Sequence, residues 1–281
     1  MKVVSRVETL RSMMAALRNA QRVGFVPTMG AFHRGHLSLM RQARKECDIV
    51  VVSIFVNPTQ FGPLEDYATY PRSLSSDKTA AQKSGVDILW VPTVAHLYPE
   101  GYRTRLSVGP IGALWEGERR PGHFDGVATI VAILLSVLRP HTAYFGQKDY
   151  QQVCVIRQII HDLHFDMTLR ILSTLRETDG LAMSSRNIRL PPHARRMAPA
   201  LYEALQGARL AVRQGRRLGR TITEAVIRHL HLAGITEIDY VALCHPETLE
   251  PLRRLDRHAV LLAAVRLGTV RLIDNILLSA R

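Results

Sequence analysis

The sequence has few cysteines and no long apolar run. Of its 281 residues only three are cysteine; Cys47, Cys154 and Cys244 lie far apart and form no CxxC pair. An odd number of separated cysteines argues against a disulfide framework and favours a reducing compartment, so we expect a cytoplasmic protein. The first ten residues are polar and mixed, unlike a signal peptide, and no apolar run reaches the roughly 18 residues that span a bilayer. We therefore expect no membrane partner.

The chain also lacks a concentrated basic segment, although its formal net charge is +13. From Arg176 onward there are 17 basic and 10 acidic residues, against 20 and 14 before it, and no Lys/Arg run exceeds two residues. A nucleic-acid-binding protein usually gathers its positive charge on one face or segment. The spread charge therefore favours a diffusely basic protein without a nucleic-acid partner, with polyanionic small substrates as a second interpretation.

Helical and strand patterns alternate over the first 175 residues. Strands are predicted at residues 23–26, 49–56, 87–91, 142–145 and 169–173. Helices are predicted at residues 7–20, 37–45, 74–84 (capped by Ser73), 125–138 and 150–163. The run Ile49–Val56 is largely β-branched and typical of a strand buried on both faces. This alternation predicts an α/β fold with a doubly wound parallel sheet, whose ligands bind at the carboxyl ends of the strands.

The pattern changes after about residue 175. Two helices are predicted at 194–213 and 222–232, followed by apolar runs at 238–243, 260–265 and 270–273. They predict a small α+β unit with antiparallel strands. The segment from Arg176 to Pro192 is rich in Ser, Asn, Gly and Pro, as a hinge or loop would be. We therefore expect two domains, residues 1–174 and residues 175–281.

Residues 27–36, Pro-Thr-Met-Gly-Ala-Phe-His-Arg-Gly-His, lie where a predicted strand passes into a helix. Unpaired N–H groups and the positive end of the helix dipole form an anion site at such a place, and two imidazoles suggest a phosphate that undergoes chemistry. Two alternatives remain open. His33 and His36 could cap the helix and pack, or form an HxxH zinc pair, for which no third ligand cluster is obvious.

A second polar segment, Phe55–Phe61, follows the strand predicted to be most buried. Asn57 and Gln60 are neutral amides that suit a substrate with hydroxyl and carboxylate groups without adding charge. The alternative is that Asn57-Pro58 only begins a turn.

Two further segments carry cationic and hydroxyl groups. In Gly146–Asp149, Lys148 could place an ammonium on a phosphate; the alternatives are a solvated lysine and an Asp149 that only caps the next helix. Gln152 lies about one turn further along that helix. In Thr178–Asn187, two serines and Arg186 could contact polyphosphate oxygens and close over a nucleotide, or simply form a Ser-rich hinge.

Together these segments resemble the pantothenate synthetase (pantoate–β-alanine ligase) family. The shared stretches are PTMGAFHRGH, FVNPTQF, YPR at 70–72, RPGHF, FGQKDYQQ, DGLAMSSRN and RLIDN, in order over nearly the whole chain. HxGH by itself also occurs in nucleotidylyltransferases and class I aminoacyl-tRNA synthetases, which leaves open a nucleotidylyltransferase with another acceptor. FVNPTQF, FGQKDYQQ and DGLAMSSRN are much more specific and argue against that alternative.

The resemblance implies a Rossmann-like domain with a smaller C-terminal lid domain, in a homodimer. It implies that ATP and pantoate form pantoyl adenylate and pyrophosphate. The amine of β-alanine then attacks the acyl carbon, which gives AMP and pantothenate, a precursor of coenzyme A. Mg²⁺ accompanies the ATP.

The resemblance also implies roles for individual residues. Catalytic roles would belong to His33, His36 (the proton donor), Lys148 and Arg186. ATP would be bound by Met29, Gly30, Ala31, Phe32, His33, Arg34, Gly35, His36, Gly146, Gln147, Lys148, Asp149, Leu175, Met183, Ser184, Ser185 and Arg186. Pantoate would be bound by Gln60 and Gln152, with Asn57, Tyr70 and Arg120 around them. Two positions depart from the family: Ser76-Asp77 stands where a paired acid is common, which leaves Asp77 alone to place a cation, and Leu175 replaces a smaller β-branched residue.

Overall fold

The computed structural model describes residues 1–63 and 65–280, which form two compact units. The first unit contains residues 1–147 and 151–173. The second contains residues 148–150 and the chain from Thr174 onward. The functional division at residue 174, with a lid after it, stays a prediction.

The first unit is built on a six-stranded parallel sheet, as the alternating pattern predicts. Its strands are β1 (Lys2–Val4), β2 (Val23–Thr28), β3 (Ile49–Ile54), β4 (Ile88–Trp90), β5 (Thr142–Gly146) and β6 (Thr168–Leu172). Their order is β1-β4-β3-β2-β5-β6. Residues 50–53 of β3 are fully buried, in agreement with the β-branched run. The sequence pattern missed β1, because three residues on a sheet edge give no periodic signal.

The helices of this part of the chain are α1 (Val7–Leu17), α2 (Arg34–Glu46), α3 (Leu74–Lys83), α4 (Val94–Leu97), α5 (Pro110–Ala113), α6 (Glu116–Arg119), α7 (His123–Leu138) and α8 (Tyr150–Asp162). The five longer ones, α1, α2, α3, α7 and α8, are close to their predicted positions. The four-residue helices α4 to α6 were not predicted, since one turn has too few residues for a pattern. Ser73 lies at the N-cap position of α3, as predicted, but its side chain makes no capping hydrogen bond and its backbone lies outside the extended region usual for an N-cap residue.

The second unit combines α9 (Pro192–Met197), α10 (Ala200–Arg213) and α11 (Gly219–Leu232) with an antiparallel sheet. The sheet contains β7 (Ile238–Cys244), β8 (His258–Leu267) and β9 (Val270–Ser279), in that order. The apolar faces of α10, α11 and the sheet form its core, which includes Leu201, Leu205, Val226 and Leu261. The helix predicted at 194–213 is in fact two helices, because Pro199 has no N–H to continue the hydrogen-bond ladder. Among all the described residues, no helix is both long and apolar enough to cross a membrane.

Candidate active site

The order of the parallel strands locates a ligand site in the first unit. The strand order reverses between β2 and β5, and such a switch point opens a crevice at the carboxyl ends of the two strands. The turn Met29–His33 leaves the end of β2 and leads into α2. It is shaped by two left-handed residues, Gly30 with φ +86° and Ala31 with φ +52°.

The side chain of Asp77, from the first turn of α3, holds this turn. One carboxylate oxygen accepts a hydrogen bond from the N–H of Ala31 (2.9 Å), and the other accepts one from the N–H of Phe32 (2.8 Å). Asp77 is buried, with 2% of its surface exposed. Both carboxylate oxygens are therefore engaged with backbone groups of the turn.

His33 and His36 lie together at the start of α2. His33 is the N-cap residue, and its Nδ1 accepts a hydrogen bond from the N–H of Gly35 (3.1 Å). The N–H of His33 in turn donates to Nδ1 of His36 (3.4 Å), and the two ring centroids are 4.2 Å apart. A neutral imidazole that accepts at Nδ1 carries its proton on Nε2, so both rings present an Nε2–H donor. Capping and phosphate contact are thus compatible, because they use different nitrogens.

The glycine between the two histidines is required by the same geometry. A Cβ at Gly35 would lie 2.8 Å from Cε1 and 2.9 Å from Nδ1 of His33. Any other residue at position 35 would displace the His33 ring. The spacing His-x-Gly-His therefore has a local structural cause.

Asn57 and Gln60 follow β3 and are connected to the turn after β2. Asn57 is buried, accepts a hydrogen bond from the hydroxyl of Tyr98 (2.8 Å) and donates to Oε1 of Gln60 (3.2 Å). This bond fixes the orientation of the Gln60 amide, whose Nε2 lies 3.1 Å from Sδ of Met29. Asn57 also begins the 3-10 turn Pro58–Gln60, so both of its sequence interpretations agree with its contacts.

Helix α7 approaches this turn closely at a glycine. A Cβ on Gly126 would lie 2.3 Å from the carbonyl oxygen of Thr59, so no side chain fits there. The carbonyl oxygen of Gly126 accepts the second N–H of the Asn57 amide (3.1 Å). The backbone of α7 thereby helps to orient Asn57.

Arg120 contacts the backbone of Gln60 through a partly buried polar network. Its guanidinium forms a bidentate ion pair with Glu65 (2.7 and 2.6 Å) and contacts Nε2 of His123 (3.0 Å). The carbonyl oxygen of Gln60 lies 2.7 Å from Nδ1 of His123. Sequence reasoning assigned no role to His123 or Glu65; the RPGHF stretch contained His123, but nothing in the sequence indicated its partners.

The protonation of this network follows from its surroundings. Burial, and then the charge of Arg120, lowers the pKa of His123 to about 4. The neutral ring therefore donates from Nδ1 to the Gln60 carbonyl and accepts from Arg120 at Nε2. Burial raises the pKa of Glu65, but its hydrogen bonds to Arg120 outweigh this, and the net shift is downward.

The remaining predicted residues of the first unit have less specific surroundings. Tyr70 is buried, with its ring edge-on to that of Phe61 (5.9 Å between centroids). The N–H of Gln147, just after β5, donates to the carbonyl of Leu172 (2.8 Å). Gln152 is half-buried on α8, whereas its neighbour Gln151 is fully buried and bonds backbone groups of residues 111–116.

In the second unit, Lys148 and the loop before α9 are both tied to β9. The side chain of Asn275 donates to the carbonyl of Lys148 (2.9 Å), whose Nζ lies 3.6 Å from the Asp149 carboxylate. Asp274 forms a buried bidentate pair with Arg176 (2.6 and 2.9 Å) at the start of the loop.

The loop itself carries the predicted hydroxyl and cationic groups. Met183, Ser184, Ser185 and Arg186 are half-buried, and Leu175 is 37% exposed. The N–H of Met183 donates to the carbonyl of Leu175 (3.0 Å), and the N–H of Arg186 donates to Oγ of Ser184 (3.2 Å). The loop is therefore an organised segment of the second unit.

A cavity of about 850 Å³ lies at the opposite end of the parallel strands, at the amino ends of β5 and β6. It is lined by α1, the end of α7 and the segments that precede β5 and β6, and it includes Arg11, Arg18 and Arg139. It contains none of the predicted site residues. The carboxyl edge, where the polar groups are connected by direct hydrogen bonds, is the better candidate site.

The parallel sheet reverses its strand order at a switch point, where a glycine-containing turn leads into a helix N-terminus. These features define the Rossmann-like class of nucleotide-binding folds. Comparison with known proteins narrows this class. The family model described as pantoate-beta-alanine ligase matches residues 2–277. The pantothenate synthetases of Thermus thermophilus and Syntrophotalea carbinolica are 50% and 47% identical, over 98% of this chain and 99% and 98% of theirs.

Solved structures agree with this result. The crystal structure of the Thermus thermophilus pantothenate synthetase has a TM-score of 0.93 at 49% identity and covers 98% of this chain and 99% of its own. The Francisella tularensis pantoate-beta-alanine ligase, complexed with beta-gamma ATP and beta-alanine, has a TM-score of 0.82 at 35% identity and covers 99% and 97%. The chain belongs to the pantoate–β-alanine ligase family.

Proposed function

We propose that this chain condenses pantoate with β-alanine at the expense of ATP, through a pantoyl-adenylate intermediate, to give pantothenate, AMP and pyrophosphate. The observation that carries the proposal is the family match over residues 2–277, together with a first unit whose site has both a phosphate-type turn and a neutral amide pair. The Francisella relative, whose structure is a complex with beta-gamma ATP and beta-alanine, supports the same substrates.

In the first step a carboxylate oxygen of pantoate attacks the α-phosphorus of ATP, and the bond to pyrophosphate breaks. A carboxylate needs no strong base, so the difficulty is to bring an anion to a polyanion and to stabilise charge on the phosphoryl oxygens. The Nε2–H groups of His33 and His36 and the N-terminus of α2 suit this task. Lys148 and Arg186 would supply further positive charge. The other ATP contacts would come from Met29–Gly35, Gly146, Gln147, Asp149, Leu175 and Met183–Ser185.

Pantoate would be held by neutral amides. Gln60 and Gln152 would bind its hydroxyl and carboxylate groups, while Asn57 fixes the direction of the Gln60 amide. Arg120 is already paired with Glu65, so its contribution would come through the backbone of Gln60. Tyr70, whose ring packs against Phe61, would close the pantoate pocket on the side of Gln60.

In the second step the neutral amine of β-alanine attacks the acyl carbon. A C–N bond forms, the C–O bond to AMP breaks and the amine loses a proton. AMP is a good leaving group, so a shielded site suffices and no covalent enzyme intermediate is required. The three cysteines are buried and have no part in this chemistry.

The described residues do not fit a metal ion held by the protein itself. Among the residues of known placement there is no group of three His, Cys, Asp or Glu side chains that could hold one. Asp77 is buried, and both of its oxygens already accept backbone N–H groups. Mg²⁺ would therefore enter as part of the ATP complex, and no step is assigned to a protein-bound metal.

We further propose a homodimer that works in a reducing compartment. A homodimer is expected from the resemblance and would have twice the chain mass of 31.5 kDa in light scattering. Three buried cysteines outside any disulfide suit a reducing compartment such as the cytoplasm.

The proposed reaction is tested by measuring AMP and pyrophosphate with purified protein, ATP, Mg²⁺ and pantoate, with and without β-alanine. We expect AMP only when β-alanine is present, and exchange of pyrophosphate into ATP that requires pantoate. Pyrophosphate release with another acceptor, but not with pantoate, would identify a different nucleotidylyltransferase.

A further inference from the structure

The turn that presents His33 and His36 has a conformation that needs external support. Gly30 and Ala31 both have a positive φ, and for Ala31 this left-handed backbone region is unfavourable because its Cβ crowds the backbone. The turn is also crowded, since a Cβ at Gly30 would lie 3.0 Å from Cγ2 of Ile54 and 3.1 Å from the Asp77 carboxylate.

Asp77 provides that support from outside the turn. Its two oxygens accept the N–H groups of Ala31 and Phe32, which are consecutive residues directly before His33. Its own N–H donates to the carbonyl of Ser73 (2.9 Å) within the first turn of α3, so the carboxylate projects from a helix rather than a loop. Hydrogen bonds to an ionised acceptor are among the stronger ones in proteins. The two hydrogen bonds therefore fix the position of the backbone that leads into His33.

We propose that Asp77 is a positioning residue for the His33–His36 pair and is not a ligand of Mg²⁺. This inference rests on the proposed function, in which the two imidazoles contact the phosphates of ATP. Asp77 acts through the backbone, because its hydrogen bond fixes the position of the Phe32 N–H. The next residue, His33, is the N-cap of α2, and the capping hydrogen bonds orient the rings of His33 and His36. A metal ligand in its place would need accessible oxygen atoms, whereas 2% of Asp77 is exposed.

The test is the Asp77→Asn variant, which keeps the size of the side chain but directs an NH₂ group at one of the two N–H donors. We expect kcat to fall by about 10²-fold, the scale of a misplacement near 1 Å, with a smaller change in the KM for ATP. The Mg²⁺ concentration that gives half-maximal rate should not change, and excess Mg²⁺ should not restore the rate.

The matched control is Asp87→Asn. The carboxylate of Asp87 also accepts a backbone N–H, that of Val50 (2.8 Å), and pairs with Arg44, but it contacts no part of the turn. We expect the Asp87→Asn variant to have a lower thermal stability but an unchanged kcat. A similar loss of kcat in both variants would show a merely structural effect and overturn the proposal.

Two other results would contradict it. One is an Asp77→Asn enzyme with wild-type kcat; the other is a rate that recovers at high Mg²⁺, which would make Asp77 a metal ligand. His36→Ala separates this inference from the proposed function. If His36→Ala is inactive while Asp77→Asn is not, only the positioning role fails; if His36→Ala turns over normally, the assigned role of the turn fails.

Discussion

At the scale of single residues, the candidate site depends on which nitrogen of each histidine is used. His33 and His36 both accept a backbone N–H at Nδ1, and this leaves the proton on Nε2. The same arrangement occurs in α4, where Nδ1 of His96 accepts the N–H of Thr93 (3.2 Å). A histidine capping box is therefore not in itself a catalytic feature, and the two examples can be compared directly.

The substitution His36→Ala should lower kcat by at least about 10²-fold, because one donor to the developing phosphoryl charge is lost. His96→Ala removes the same kind of capping bond at a place without predicted site residues and should keep full activity. Pyrophosphate exchange measures the first step in both variants, and circular dichroism checks their folding. Equal activity in the two variants would remove His36 from the mechanism.

The substitution Gly35→Ala tests the local cause of the His-x-Gly-His spacing. The added Cβ would lie 2.8 Å from Cε1 of His33 and push the ring out of its capping position. We expect kcat to fall by about tenfold or more, since an imidazole shifted by a fraction of an ångström no longer matches its target. Gly207→Ala is the control: a Cβ there meets no atom within 4 Å in α10, so activity should be unchanged and stability slightly higher. Normal turnover in Gly35→Ala would show that the ring tolerates displacement.

At the scale of elements, sequence patterns located helices and strands but not the buried polar contacts between them. Strand β9 was predicted to end at Ile273, because Asp274 and Asn275 interrupt the apolar run, yet it continues to Ser279. Both residues are buried because Arg176 and the carbonyl of Lys148 satisfy them, and these partners lie about 100 residues or more away in the chain. No local pattern contains such information, and the same holds for the network of Glu65, Arg120 and His123.

The Arg176–Asp274 pair should be important for the loop before α9. Asp274→Ala leaves the Arg176 guanidinium, whose side chain is 16% exposed, without its carboxylate partner. This should cost about 3 kcal/mol of unfolding free energy, and it should raise the KM for ATP if Met183–Arg186 contact the nucleotide. Glu224→Ala, which breaks the exposed pair with Arg220, should change neither quantity measurably. Denaturant unfolding and steady-state kinetics on both variants provide the comparison. A KM that stays constant while stability falls would separate the loop from ATP binding.

At the scale of the whole molecule, the predicted fold class is confirmed. The order of the strands explains why this fold class predicts the position of the candidate site. The strand order reverses between the neighbouring strands β2 and β5, and a parallel sheet opens a crevice at such a point. The segment after β2 therefore leaves the sheet at this crevice. An alternating β/α sequence predicts a sheet of this kind. The cavity at the amino ends of β5 and β6 contains none of the predicted site residues, so this cavity alone would have indicated the opposite end of the sheet. The +13 charge has no structural explanation in the candidate site.

The stability of the molecule should decrease as the pH falls below about 6.5, before its carboxylates are protonated. His123 has a pKa near 4 in the folded protein and 6.5 as an ordinary histidine, so the unfolded chain binds more protons between these values. Its contribution, at most about 3 kcal/mol, is complete above pH 6.5 and is lost as the pH falls to 4. The lowered pKa of His141, which results from burial and then from Arg18 and Arg22, adds to this slope.

Glu46 extends the decline to lower pH, since its hydrogen bonds to Arg170 and then Gln42 lower its pKa from 4.5 to about 2. Denaturant unfolding between pH 4 and 8 should therefore show a steeper loss in the wild type than in His123→Asn, which keeps a donor for the Gln60 carbonyl but does not titrate. The two curves should differ in slope only between pH 4 and 6.5 and run parallel above that range. Identical slopes in this window would show that the pKa of His123 is the same in the folded and the unfolded chain, and the lowered pKa assigned to the buried ring would have to be abandoned.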